Sequence, residues 1–122
     1  MTYDTNNIFA KILKGEIPCQ KIFEDETTLA FRDIYPKAPI HILVIPKGPY
    51  RDIADFGQNA STKEIEGFYR AVSKIAHEHQ LTVGGFRAIA NAGGFAAQEV
   101  PHYHIHLLGG GKLGAMVGAA NN

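Results

Sequence analysis

The chain has 122 residues, 45% hydrophobic and 20% charged, and its twelve basic and twelve acidic residues cancel. This length and mix predict one soluble globular domain over 1–122, with a core over about 6–110 and a C-terminal tail over 111–122. Zero net charge excludes a global field that draws the chain to nucleic acid or anionic lipid, and no apolar run reaches the ~18 residues of a membrane span. Cys19 is the only cysteine, so no intrachain disulfide can form, which fits a reducing compartment. The polar stretch Met1–Asn7 lacks the features of a signal peptide, and a cytoplasmic location is expected.

Asn6 or Asn7 can cap a short helix, in which Ile8, Phe9, Ile12 and Leu13 repeat at helical spacing before Gly15 and Pro18 end it. Lys21–Glu24 and Thr28–Arg32 read as strands joined by a short polar turn, hence a hairpin. His41–Ile45 is a third strand, and its almost unbroken apolar character places it centrally. Residues 48–59 are turn-rich, with one helical turn near Ile53. Ser61 and Glu64 form a capping-box pattern ahead of Ile65, Phe68, Tyr69, Val72, Ile75 and Ala76, which predicts an amphipathic helix to about Gln80. Gly84-Gly85 is a turn, Phe86–Asn91 a fourth strand, Ala92–Ala97 a small-residue loop and His102–Leu108 a fifth strand. The order α-β-β-β-α-β-β predicts an α+β fold with a mostly antiparallel five-stranded sheet and two main helices. The tail is expected to be mobile or to lie on a partner.

His102, His104 and His106 alternate within the fifth strand, so all three imidazoles are expected on one face, about 6–7 Å apart, with Tyr103, Ile105 and Leu107 facing a core. Three readings compete. A His₃ metal site is one, although a flat row of imidazoles tends to splay beyond a common bond length of ~2.1 Å. A solvated edge face is the second. Nucleophilic catalysis at phosphorus is the third, with His104 attacking between two helpers while the loop Asn91–Gln98 offers backbone N–H groups to a phosphate.

The run Gln98-Glu99-Val100-Pro101-His102-Tyr103-His104-Ile105-His106-Leu107-Leu108 resembles the histidine triad motif, in which apolar residues separate three histidines. Collinear blocks at Ile8–Ile12, Gly15–Pro18, Phe31–Ile34 and His41–Lys47 resemble the Hint branch of that family, and Leu107–Gly110, Leu113, Gly114 and Met116 its bacterial members. The resemblance implies a homodimeric, metal-independent purine nucleoside phosphoramidase and adenylyl hydrolase with no cofactor, its two five-stranded sheets joining into one. It implies His104 as nucleophile, His106 as phosphate contact, and His102 and His41 as supports that serve proton transfer. It further implies Asp33 on the ribose hydroxyls, a base pocket walled by Ile8, Phe9, Ile12, Ile17, Phe31, Ile34 and Leu43, and a phosphate side lined by Asn91 and Gln98, with Ala97 and Glu99 beside them. Read without the resemblance, Asp33 is a turn-capping residue, the apolar wall is plain core and His41 is an edge histidine. His77 and His79 match nothing in the family pattern and read as surface residues near a helix C-terminus.

The chain departs from the family in four places. Ala96-Ala97 stands where Gly-Gly is usual, a strain wherever φ must be positive. Glu99 replaces a serine near the leaving group, and Pro49 a common histidine. Asn7 and Ala10 stand where some members carry the Cys-x-x-Cys of a structural zinc, so that site is expected to be absent. Two other functions remain open: a dinucleoside polyphosphate hydrolase, as in the Fhit branch, and a nucleotide-binding regulatory protein with vestigial catalysis.

Overall fold

The computed structural model describes residues 2–118. The first helix, α1 (Ile8–Leu13), starts at Asn7, whose side-chain oxygen accepts from the Ala10 N–H at 2.8 Å. It ends where Gly15 takes φ +78°, which lets the Gly15 and Glu16 N–H groups turn back to the carbonyls of Ile12 and Lys11. Strands β1 (Lys21–Glu24), β2 (Thr28–Arg32), β3 (Ile40–Pro46), β4 (Phe86–Ile89) and β5 (Ile105–Gly109) form one sheet in the order β1-β2-β3-β5-β4. Every neighbouring pair is antiparallel. The β1–β2 connection is tight because the Asp25 carboxylate accepts from the N–H groups of both Thr27 and Thr28.

The expected α+β fold is the observed one, with β3 at the centre of the sheet. Alternation along the strands builds two apolar layers. Ala30, Ile42, Val44, Tyr103, Ile105 and Leu107 face one side, where Phe56, Phe68, Ile75 and Leu81 pack on them. Leu29, Phe31, Leu43 and Ile45 face the other, under Phe9 of α1. Because both faces of β3 are covered, His41 to Pro46 is buried throughout, which explains its continuous apolar run. The long helix α3 (Thr62–Glu78) begins at the Ser61–Glu64 capping box and turns Phe68, Ala71, Ile75 and Ala76 to the sheet.

Two helices go beyond the expected two. Helix α2 (Ile53–Asn59) is capped by Asp52, which accepts from the Asp55 N–H, and its one buried anchor is Phe56. It extends the single turn expected near Ile53 to seven residues, a length that Gly57 and the surrounding turn residues mask in the sequence. Helix α4 (Leu81–Gly84) is a single turn pinned by buried Leu81, set off from α3 by Gln80 in the left-handed region at φ 58°. His77 is exposed and His79, the half-buried C-cap of α3, sits at its end.

The strand that carries the histidines starts later than its residue pattern suggests, at Ile105 rather than His102. The β3–β5 ladder ends at Val44 opposite Ile105, so its continuation would set Tyr103 against Pro46, which has no N–H to donate. The tail is only partly free. Residues 112–118 are irregular, but the Arg87 guanidinium of β4 donates to the Gly114 and Ala115 carbonyls at 2.5 and 3.3 Å. The remainder of the tail, 119–122, lies outside the described residues. Among the described residues no helix is long and apolar enough to cross a membrane.

Candidate active site

The α1 face of the sheet carries a cavity of about 410 Å³. Its apolar wall is formed by Ile8, Phe9 and Ile12 of α1, Ile17 beyond it, and Phe31 and Leu43 of β2 and β3. Asp33 and Ile34 form the rim after β2. Asn91, Ala97, Gln98 and Glu99 close the opposite side. His41, His104 and His106 point into it. Every residue singled out in the sequence for this site therefore lines one cavity, except His102.

His102 is fully buried and both its ring nitrogens are occupied. Nε2 lies 2.8 Å from the Pro46 carbonyl, and Nδ1 lies 2.6 Å from the Tyr3 hydroxyl. A carbonyl only accepts, so Nε2 carries the proton. Burial, above all, holds the His102 pKa down at about 4, so the ring is neutral at pH 7 and Nδ1 accepts from Tyr3. Both ring nitrogens of His102 are therefore taken, and the ring does not line the cavity.

The remaining hydrogen bonds assign the other tautomers. His104 Nδ1 donates to the His102 carbonyl at 2.7 Å, which leaves the lone pair on Nε2. The Lys37 N–H donates to His41 Nδ1 at 3.1 Å, so the proton of neutral His41 sits on Nε2. That N–H donates to His106 Nδ1 at 2.9 Å, which puts the His106 proton on Nε2. The row of three equivalent imidazoles thus becomes a base at His104 beside an N–H donor at His106, with ring centroids 5.0 Å apart. Register explains the His41–His106 pair. His41 faces Leu108 and Leu43 faces His106, so the two histidines are diagonal neighbours on one face.

Burial lowers the pKa of all three cavity histidines, and for His106 the neighbouring imidazoles add to it and bring it to about 4. They are neutral at pH 7, which leaves the His104 Nε2 lone pair unprotonated. Asp33 divides its carboxylate. Oδ1 accepts from the Tyr35 N–H at 2.8 Å, as a turn-capping residue does, while Oδ2 lies 3.4 Å from His41 Nε2 on the cavity side. Among the described residues, Asp33, His41 and His106 are a group whose donor atoms lie within 4.8 Å of one another. A cation there would need the two nitrogens that now share a proton, and His41 would have to give up its bond from Lys37.

The small-residue loop is braced by Gln98. Its side-chain oxygen accepts from the Gly93 N–H at 2.9 Å, and its amide donates to the carbonyls of Arg51 and Val100 at 2.6 and 3.0 Å. Of the two alanines, only Ala97 is strained, at φ 55° and ψ 45°; Ala96 closes an ordinary 3₁₀ turn. The left-handed region costs a non-glycine residue about 1–2 kcal/mol, partly offset by the greater unfolded freedom of glycine. Ala97→Gly is expected to raise the melting temperature by roughly 2–5 °C, and Ala96→Gly to lower it or leave it unchanged. Thermal unfolding of the two variants checks this, and equal responses would remove the strain argument.

Sequence reading missed Tyr3 because an isolated tyrosine in a polar terminus has no periodicity to mark it. It also missed Cys19, Tyr35 and Lys37, which lie on the cavity wall through the course of two loops.

Residues 14–113 match the family model described as the HIT domain. An uncharacterised HIT-like protein of Azospirillum brasilense is 53% identical over 116 residues, 95% of each chain. A 14 kDa zinc-binding protein of Zea mays is 42% identical over 112 residues, 90% of this chain and 86% of the relative. Among solved structures, a HIT family hydrolase from Legionella pneumophila superposes with a TM-score of 0.84 at 39% identity, covering 93% of this chain and all of that one. A histidine triad nucleotide-binding protein from Candida albicans gives 0.76 at 30% identity, covering 95% and 87%. This chain belongs to the HIT family.

Proposed function

We propose that this protein is a hydrolase of purine nucleoside phosphoramidates and related adenylyl conjugates, acting through a covalent intermediate on His104. The observation that carries the reading is the pairing of a free His104 Nε2 lone pair with a His106 Nε2–H donor in a cavity of about 410 Å³. The names of the Legionella hydrolase and the Candida nucleotide-binding protein agree with it.

In the first step the His104 lone pair attacks the α-phosphorus and the P–N bond to the leaving amine breaks. The His106 N–H donates to a phosphoryl oxygen as charge builds there. The departing nitrogen takes up a proton, and Glu99, which lines the cavity, is the candidate carrier. Water then attacks phosphorus, the P–Nε2 bond breaks, and a nucleoside 5′-monophosphate is released. The apolar wall takes the purine, and Asp33 Oδ2 accepts from the ribose hydroxyls. Neither step calls on a metal. The zinc in the name of the maize relative has no counterpart we would carry over, because Asn7 is occupied in capping α1 and Ala10 has no ligand atom. The same reading includes a homodimer formed by joining sheets, for which edge strand β4 beside the exposed Val83 and Phe86 is the natural seam.

The assay is hydrolysis of adenosine 5′-phosphoramidate with a chelator present, followed across pH. Adenosine monophosphate and ammonia are expected in equal amounts. On the acid side the rate should fall only below the ~6.5 of a free imidazole, because a lowered His104 pKa keeps the ring unprotonated above that point. Turnover abolished by chelator would sink the metal-free mechanism. Tight binding of adenosine monophosphate with no turnover would favour the regulatory binding protein, a reading kept alive by the strain at Ala97.

A further inference from the structure

The N-terminal arm passes behind the histidine row rather than away from it. Residues 4–7 fold into a turn in which Asn7 donates to the Asp4 carbonyl from its side chain at 2.8 Å, and the Asn6 N–H donates to the Asp4 carboxylate at 2.9 Å. Lys14 Nζ holds the Thr5 carbonyl at 3.1 Å. This turn delivers Tyr3 edge-on to His102, with ring centroids 5.7 Å apart and an interplanar angle of 71°. The bond between them spans 99 residues of sequence.

We propose that Tyr3 is a positioning residue for the nucleophile: its hydroxyl donates to His102 Nδ1, pins the ring at the nitrogen opposite the one that Pro46 holds, and so fixes the peptide whose carbonyl orients His104. The proposal rests on the function proposed above. The chain of contacts has no slack. The Tyr3 O–H meets His102 Nδ1 at 2.6 Å, His102 Nε2–H meets the Pro46 carbonyl at 2.8 Å, and the His104 Nδ1–H meets the His102 carbonyl at 2.7 Å. The Phe9 ring stands edge-on to both imidazoles, at 6.3 Å from His102 and 5.0 Å from His104, and blocks a sideways rotation of either. Burial raises the Tyr3 pKa, so the hydroxyl keeps its proton throughout the working range. Without the donor, the buried His102 Nδ1 has no partner. The ring is then held at Nε2 alone and can pivot about its bond to the Pro46 carbonyl, which loosens the His102 peptide.

Tyr3→Phe keeps the ring packing and removes only the hydroxyl. With adenosine 5′-phosphoramidate as substrate, kcat is expected to fall roughly tenfold while KM stays within about twofold, because a misaimed nucleophile weakens the transition state and leaves the ground-state pocket intact. Imidazole ¹⁵N spectra at neutral pH should show the His102 Nδ1 signal of a hydrogen-bonded acceptor in the wild type and of an unpaired one in the variant, with the His104 Nδ1–H signal shifted as well. A purely structural Tyr3 would lower the melting temperature but leave kcat per folded molecule and the His104 signal where they were, and that result overturns the proposal. If the wild type hydrolyses nothing, the functional reading fails by itself. The spectra then decide the positioning claim alone, and a His104 Nδ1–H signal unchanged in Tyr3→Phe sinks it.

Discussion

Replacing His104 with alanine is expected to lower turnover of an adenosine phosphoramidate by roughly ten-thousand-fold or more, as removal of other covalent nucleophiles does. Affinity for adenosine monophosphate should change only a few-fold. The asymmetry follows from the placement of the ring. Phe31, Leu43, Asp33 and the loop around Gln98 make the rest of the pocket, and none of them hydrogen-bonds to the His104 ring. Among the described residues, the one side-chain bond that His104 makes is to the backbone of His102, and that carbonyl loses only a donor. The measurement is single-turnover hydrolysis beside a binding isotherm. Turnover that survives the substitution would remove His104 as nucleophile. A proportional loss of binding and rate would point to a collapsed pocket instead.

Phe68→Ala is expected to cost about 3–5 kcal/mol of stability and to lower the melting temperature by roughly 10–20 °C. Phe68 is fully buried and its ring stands 5.2 Å from Phe56, 5.1 Å from Tyr69 and 5.2 Å from Tyr103. Removing it opens a cavity between α2, α3 and the sheet that three rigid rings cannot close. The effect reaches the active site through Tyr103, which lies between His102 and His104 in sequence and anchors that stretch from the opposite face of the sheet. Tyr103 is itself held by the Tyr69 hydroxyl at 2.8 Å. Thermal or denaturant unfolding gives the number, and a loss below about 1 kcal/mol would mean that the aromatic cluster repacks.

The features that were legible in the sequence are those set by local spacing. The capping box at Ser61 and Glu64 and the 3.6-residue repeat after it belong to α3 because both depend on residues within one or two turns. The continuous apolar run at β3 reports a strand covered on both faces. Asp33 was legible in two ways, as a turn cap and as a carboxylate on a site, and its two oxygens now divide those parts. The full length of α2 and the existence of α4 were hidden for the opposite reason. Phe56 and Leu81 each anchor a helix with one buried side chain, and a single anchor makes no period.

The sequence by itself determined which side chains this site has to work with: histidines at alternate positions, apolar residues between them, and a fourth imidazole opening a buried strand. Alternation in extended backbone needs no tertiary information, so the division of Tyr103, Ile105 and Leu107 from the histidines was readable in advance. Only the tertiary structure decided that the histidines differ. Two of the imidazoles, His102 and His106, take their tautomers from partners that distant parts of the chain supply. Pro46, 56 residues away, and Tyr3, 99 residues away, occupy His102. His41, 65 residues away, sets the proton of His106. The position of a proton on a ring is a property of its surroundings, and spacing along the chain carries no record of it.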